Sequence, residues 1–269
     1  MQPLLKVENL IKRYAAARPA ARGEEVVALN GVSLSICAKA TVALVGESGS
    51  GKSTFAFCIA CLEPATSGHI WFEGQAISAL GEKQLRAVRP LIQLVFQDPV
   101  NSLNRRWTAL EIVAEPLAIQ RRFDKQERRE RALALLDRVG IPRSDAARRP
   151  DEFSGGQRQR LAIARALALE PKLLILDEAL SALDCSVQAQ ITNLLLELQS
   201  SLGLTYLFVT HDLRMAAHFA DEIAVLDRGQ IVELGSPDKV LRAPEQDATR
   251  RLCAATPAFG ATARPLQVV

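Results

Sequence analysis

The sequence has no run of about 18 consecutive apolar residues, the length a helix needs to span a bilayer, so the chain is not expected to cross a membrane alone. It also has little net charge. Its 33 basic and 30 acidic residues leave +3, which gives no electrostatic case for nucleic acid, a partner that usually demands a strongly basic face. Such a slightly basic protein is still compatible with a membrane surface. Cysteines are few and odd in number: Cys37, Cys58, Cys61, Cys185 and Cys253. With no signal peptide at Met-Gln-Pro-Leu-Leu-Lys, this scatter points to free thiols in a reducing compartment and not to a disulfide framework. Cys58-x-x-Cys61 has the spacing of a redox or metal pair, but both residues fall in an expected helix, where one turn of separation reads as packing. The three histidines form no cluster: His69 and His218 lie in no site pattern, and only His211 ends a strand. There is no internal repeat.

What is present is enough apolar material, 48% of 269 residues, for one large domain or two small lobes. Leu4–Leu10 and Val26–Ile36 carry strand-like patterns, separated by a loop, AAARPAARGEE (15–25), expected to be mobile. TVALVG (41–46), HIWFEG (69–74), LIQLVFQ (91–97), LLILDE (173–178), TYLFVTH (205–211), EIAVLD and QIVELG read as further strands. Helical periodicity appears at 53–62, in TALEIVAEPLAIQ, in KQERRERALALLDRVG, in LAIARALALE and at about 186–202. The alternation implies an α/β fold with a mostly parallel sheet and a helical lobe inserted at about 100–160. From 243 to 269 the pattern has no clear period, so this tail is expected to be partly ordered at best.

Three stretches carry chemistry. GESGSGKST, residues Gly46, Glu47, Ser48, Gly49, Ser50, Gly51, Lys52, Ser53 and Thr54, fits G-x-x-x-x-G-K-[ST] between a strand and a helix. Its glycines let backbone amides curl round an anion, the helix N-terminus adds partial positive charge, Lys52 supplies a full charge for the β- and γ-phosphates, and Ser53 is placed to ligate Mg²⁺. LLILDE sets Asp177 and Glu178 at a strand end, where ligands of open α/β sheets bind. Asp177 would hold Mg²⁺, and Glu178 would act as general base, a role typically contributing about 10²–10⁴-fold. Two solvated acids are the bland alternative; beside a phosphate loop the catalytic reading is the stronger. The third stretch is FSGGQRQR (153–160). It is either an ordinary helix-entry turn or a second anion site.

In this order GESGSGKST, LVFQDP, FSGGQRQR, LLILDE, SALD and TYLFVTH resemble the ATP-binding cassette of ABC transporters from about Leu4 to Arg242. The resemblance implies a P-loop NTPase core, an N-terminal antiparallel β-subdomain and an inserted α-helical subdomain over 1–242, with a C-terminal tail at 243–269. It implies that Ser154, Gly155, Gly156 and Gln157 form the signature motif and that Ser181–Asp184 form the D-loop, with Asp184 at the nucleotide. Gln97 becomes the Q-loop glutamine, at the metal and the attacking water. His211 becomes the switch histidine, and Tyr14 the aromatic stacked on adenine. ATP and Mg²⁺ are the implied cofactors. SGGQ of one subunit would cover the γ-phosphate held by the phosphate loop of another, which explains why one chain carries two phosphate motifs.

FQDPVNSLN and FSGGQRQRLAIARALALEPKLLILDE are similar to the cassettes of peptide and nickel importers. Those systems imply a second, different cassette, two permease subunits and, indirectly, a solute-binding protein. The chain would then lie peripherally at the cytoplasmic face of the cell membrane, with Arg105, Arg106 and Trp107 facing the permease. A soluble non-transport ATPase and an exporter cassette are the alternatives. Departures from the subfamily are Arg105 in place of proline, Ala179 in place of the proline after the catalytic glutamate (as in the second cassette of nickel importers), and APEQDATRRL in place of Pro-x-His-Pro-Tyr-Thr. With only Cys253 in that region, no iron–sulfur cluster is expected. Phe153 stands where leucine is commoner and reads as packing.

Overall fold

The computed structural model describes residues 2–15, 25–98 and 102–255. Residues 16–24 of the expected loop, 99–101 of FQDPVNSLN and the tail from 256 lie outside the described residues. Strands β1 (Leu5–Ala15), β2 (Glu25–Ile36), β4 (Ser67–Phe72) and β5 (Gln75–Ala76) pair antiparallel in the order β2-β1-β4-β5. A six-stranded sheet has the order β10-β9-β3-β8-β7-β6. In it β3 (Thr41–Val45), β6 (Ile92–Val95), β7 (Leu173–Asp177), β8 (Thr205–Thr210) and β9 (Glu222–Asp227) run parallel, and only β10 (Gln230–Gly235) is antiparallel.

The apolar runs that mark β3, β7 and β8 exist because both faces of this sheet are covered. Along β7, Leu174 and Leu176 enter one core, and Leu173 and Ile175 enter the other. Tyr206 and Phe208 of β8 alternate with Leu207 and Val209 in the same way. One core continues into a helical lobe between β6 and β7. There α3 (Ala109–Ile119) and α4 (Lys125–Arg138) pack on α5 (Gly155–Leu167), which runs back into β7. The other core joins the antiparallel sheet to α1 (Lys52–Ile59). The helices of the lobe start where side chains satisfy their free amides. Thr108 and Glu111 cap α3 reciprocally, and Asp124 accepts from the amide of Glu127 at the start of α4.

Several boundaries differ from the sequence reading. β1 extends past Leu10 to Ala15, through register shifts beside Asn9, whose φ is 49°. Helix α1 stops at Ile59, and Cys61, at φ 55°, lies beyond it in the left-handed region. Cys58 and Cys61 are thus not one turn apart within a helix; both are free thiols, pushed up to about 11 by burial. The short α2 (Glu82–Val88) and the strand β5 were not foreseen. Downstream lie α6 (Cys185–Leu202), α7 (Leu213–Phe219) and α8 (Pro237–Arg242), and within the tail expected to be partly ordered at best a helix, α9 (Asp247–Ala255), is formed. Buried Glu233 of β10 anchors it, accepting from the amides of Glu245 and Gln246 at 3.1 Å each and from Thr249 Oγ1 at 2.5 Å.

Candidate functional site

The sheet brings the C-terminal ends of β3, β7, β8 and β9 together. Gly46 follows β3 so closely against β9 that a Cβ there would lie 2.2 Å from the Leu226 carbonyl oxygen. Gly51, at φ 107°, leaves only 2.4 Å for a Cβ beside the Ala28 carbonyl oxygen, so the loop's last glycine cannot carry a side chain. Between them the chain turns over exposed Glu47, Ser48 and Gly49, with the Ser50 amide donating to the Glu47 carbonyl over 3.2 Å. Lys52 opens α1, and its buried Nζ donates to the carbonyls of Gly46 and Glu47 at 2.9 Å each, which holds the loop round its ammonium. Burial pulls the Lys52 pKa below the usual lysine range, and the carboxylates of Glu178 and Asp177 oppose that shift. The Ser50 hydroxyl is buried without a hydrogen-bond partner.

Ser53 Oγ donates to Asp177 Oδ1 over 3.1 Å. Burial pushes the Asp177 carboxyl above the usual carboxylate range, against the Ser53 hydrogen bond that favours the charged form. A hydroxyl and a partly desolvated carboxylate, next to a lysine, form an oxygen donor set that fits Mg²⁺. Glu178 follows at φ 47°, its amide donating to the Val209 carbonyl over 2.9 Å. That left-handed turn sends its carboxylate towards the end of β8, where Glu178 Oε2 lies 3.6 Å from His211 Nδ1. Gln97 is exposed two residues beyond Val95, whose neighbour in β7 is Leu176, so the backbone sets it beside the Asp177 end of the sheet. Tyr14, near the end of β1, donates its hydroxyl to Glu63.

The second expected phosphate motif stands apart. Ser154 caps α5, accepting from the Gln157 amide at 3.3 Å while its own amide donates to Gln157 Oε1 at 2.9 Å. Gly155 lies against Leu183, and a Cβ on Gly156 would come within 2.5 Å of Val187 Cγ1. Asp184 caps α6, accepting from the Val187 amide at 2.9 Å. The residues expected to form the signature motif and the D-loop therefore pack on each other, and among the described residues none of their hydrogen bonds reaches the phosphate loop of the same chain. Phe153 is buried, as expected, with the Arg148 guanidinium 4.7 Å from its ring centroid. The sequence reading missed four residues at this site. Gly229 donates its amide to the Ser50 carbonyl over 2.9 Å, and Arg251 of α9 lies 3.6 Å from Glu47. Lys12 and Glu63 flank Tyr14. Only Gly229, in the tight β9–β10 turn, had a sequence signal.

A family model described as "ABC transporter" matches residues 29–181. The chain belongs to the ABC transporter family. Its cassette is 43% identical to the dipeptide transport ATP-binding protein DppF of Escherichia coli over 95% of this chain and 77% of that protein. It is 47% identical to the oligopeptide transport ATP-binding protein OppD of Mycobacterium tuberculosis over 94% of this chain, yet spans only 42% of that relative's length. Among solved structures, a dimeric ATP-binding cassette in a post-hydrolysis state with ADP and phosphate superposes with a TM-score of 0.77 at 35% identity, covering 87% of this chain and 98% of that one. The cassette cbiO1 of Clostridium perfringens, part of an ABC transporter complex, gives 0.79 at 31% identity over 91% and 93% of the two chains.

Proposed function

We propose that this ABC cassette hydrolyses ATP to ADP and phosphate as one subunit of an importer for peptides or a related small solute such as nickel. The convergence of Lys52, Ser53, Asp177 and Glu178 on one loop carries the reading, because it pairs a phosphate cradle with a metal-binding carboxylate and a base. The identity to a dipeptide transport protein over most of both chains favours an importer over an exporter or a soluble ATPase.

In this reading the triphosphate lies on the amides of Gly46–Thr54 and on the Lys52 ammonium, which is already desolvated and so interacts strongly. Tyr14 stacks on the adenine. Ser53, Asp177 and Gln97 would hold Mg²⁺, which when bound would neutralise charge on the phosphate oxygens. Glu178 accepts a proton from water as the water oxygen bonds to the γ-phosphorus. The bond from that phosphorus to the bridging oxygen breaks, and ADP leaves. His211, 3.6 Å from Glu178, orients the base and the γ-phosphate. The signature motif of a second cassette closes over this nucleotide, Ser154–Gln157 of this chain close in turn over the nucleotide on the partner's phosphate loop, and Asp184 lines the joint. The partner is a different cassette, and two permease subunits and a solute-binding protein complete the assembly at the cytoplasmic face of the membrane.

No helix among the described residues is long and apolar enough to cross a membrane. Exposed Arg105 and Arg106, beside half-buried Trp107, lie at the start of the helical lobe and are assigned to the permease contact. The test is purification of the tagged chain with its membrane partners, followed by ATPase assays with candidate solutes. Stimulation by peptides supports the proposal. Co-purification with ribosomes or DNA, and without membrane subunits, would overturn it.

A further inference from the structure

Lys12 and Tyr14 are two residues apart on β1, and their side chains meet across the register shift between Lys12 and Arg13. Lys12 is a buried cation whose Nζ sits 4.8 Å from the centroid of the Tyr14 ring. The same Nζ donates to the Pro64 carbonyl over 2.8 Å and pairs with Glu63 Oε2 at 3.3 Å. That one carboxylate oxygen also accepts the Tyr14 hydroxyl. Burial, with help from Glu63, pushes the Tyr14 hydroxyl up to about 12, so it remains a donor throughout the physiological range. Glu63 and Pro64 follow the end of α1, whose first residue is Lys52.

We propose that Lys12 and Glu63 are positioning residues that fix the Tyr14 ring for the adenine of ATP. The inference rests on the reading of Tyr14 as the base-stacking residue. The Glu63 oxygen anchors the hydroxyl end of the ring, and the ammonium packs on one ring face, leaving a single face for a base. Because the acceptor follows α1, the ring is held at a set distance from the phosphates bound at that helix's other end. A merely structural role, in which Lys12 tethers β1 to the turn after α1, would need only the bond to the Pro64 carbonyl.

Titration calorimetry of the full chain with ATP and with inorganic tripolyphosphate, each with Mg²⁺, separates these possibilities. Tyr14→Ala tests the underlying reading and should weaken ATP while leaving tripolyphosphate unchanged; unchanged ATP affinity would overturn that reading. Glu63→Ala and Lys12→Met should each weaken ATP about fivefold, the scale of one lost ring-orienting contact, with tripolyphosphate affinity unchanged. Tyr14→Phe keeps the ring, removes the hydroxyl, and should shrink the effect of Glu63→Gln in the double variant to what the Lys12 pair alone contributes, so the contact is read even if Glu63→Ala folds poorly. If Tyr14→Ala weakens ATP but the Lys12 and Glu63 variants bind it as the wild type does, the positioning claim is overturned and the adenine reading stands. Equal loss of ATP and tripolyphosphate in those variants would also overturn the claim, by assigning the pair to the fold alone.

Discussion

Ser53 Oγ donates to Asp177 Oδ1 over 3.1 Å, joining the start of α1 to the end of β7 across 124 residues of sequence. Because burial disfavours the charge on Asp177, this carboxylate is held at some cost to the empty protein. Asp177→Asn should therefore raise the melting temperature of the nucleotide-free chain by about 3 °C, the shift that ~1 kcal/mol produces in a domain of this size. It should also abolish the extra stabilisation that Mg²⁺ adds to ATP. Thermal melts with ATP, with and without Mg²⁺, check both. A variant that melts lower when empty and still responds to Mg²⁺ would remove Asp177 from the metal site.

Gly156 and Gly155 differ sharply in the room around them. A methyl at Gly156 would lie 2.5 Å from Val187 Cγ1, whereas one at Gly155 meets Leu183 at an ordinary 3.5 Å. Gly156→Ala should cost about 1–3 kcal/mol by overpacking, and Val187→Ala in the same chain should restore most of it. Gly155→Ala should leave stability nearly unchanged, since alanine suits a helix better than glycine. Urea unfolding of these three variants beside the wild type tests the contact between α5 and α6.

Glu233 holds α9 through the two amides and the Thr249 hydroxyl. Burial works to raise its pKa, but those hydrogen bonds outweigh it and set the carboxyl below the usual 4.5. A depressed acid stabilises the fold fully above its unfolded pKa and loses that contribution as pH falls through the folded value. Glu233→Gln should lower stability at pH 7 by about 1–3 kcal/mol. The gap from the wild type should narrow below pH 4.5. Paired melts at pH 7 and in acid read the difference, and a constant gap would contradict the assignment.

The central strands were legible because burial on both faces writes them as unbroken apolar runs, and the phosphate loop because its glycines, lysine and hydroxyl keep fixed spacing. The sequence reading ended β1 at Leu10 because the irregularity at Asn9 breaks the two-residue alternation that marks a strand, although pairing with β2 resumes and carries Tyr14 to the site. Helix α9 was hidden for a different reason. Its anchor, Glu233, reads as an exposed strand carboxylate, and only the folded chain brings it to the helix N-terminus. Lys12 and Glu63 carried no signal, since a lysine in a strand and a glutamate after a helix are ordinary surface residues until their shared partner, Tyr14, is placed.

Glu178 carries the central claim, that the chain is an ATPase built on this loop. The decisive measurement compares ATP binding and single-turnover hydrolysis in the wild type and Glu178→Gln, a change that keeps size and removes the base. The account requires hydrolysis to fall at least about a hundredfold, the usual contribution of a general base, with ATP affinity unchanged. Hydrolysis at the wild-type rate would contradict it.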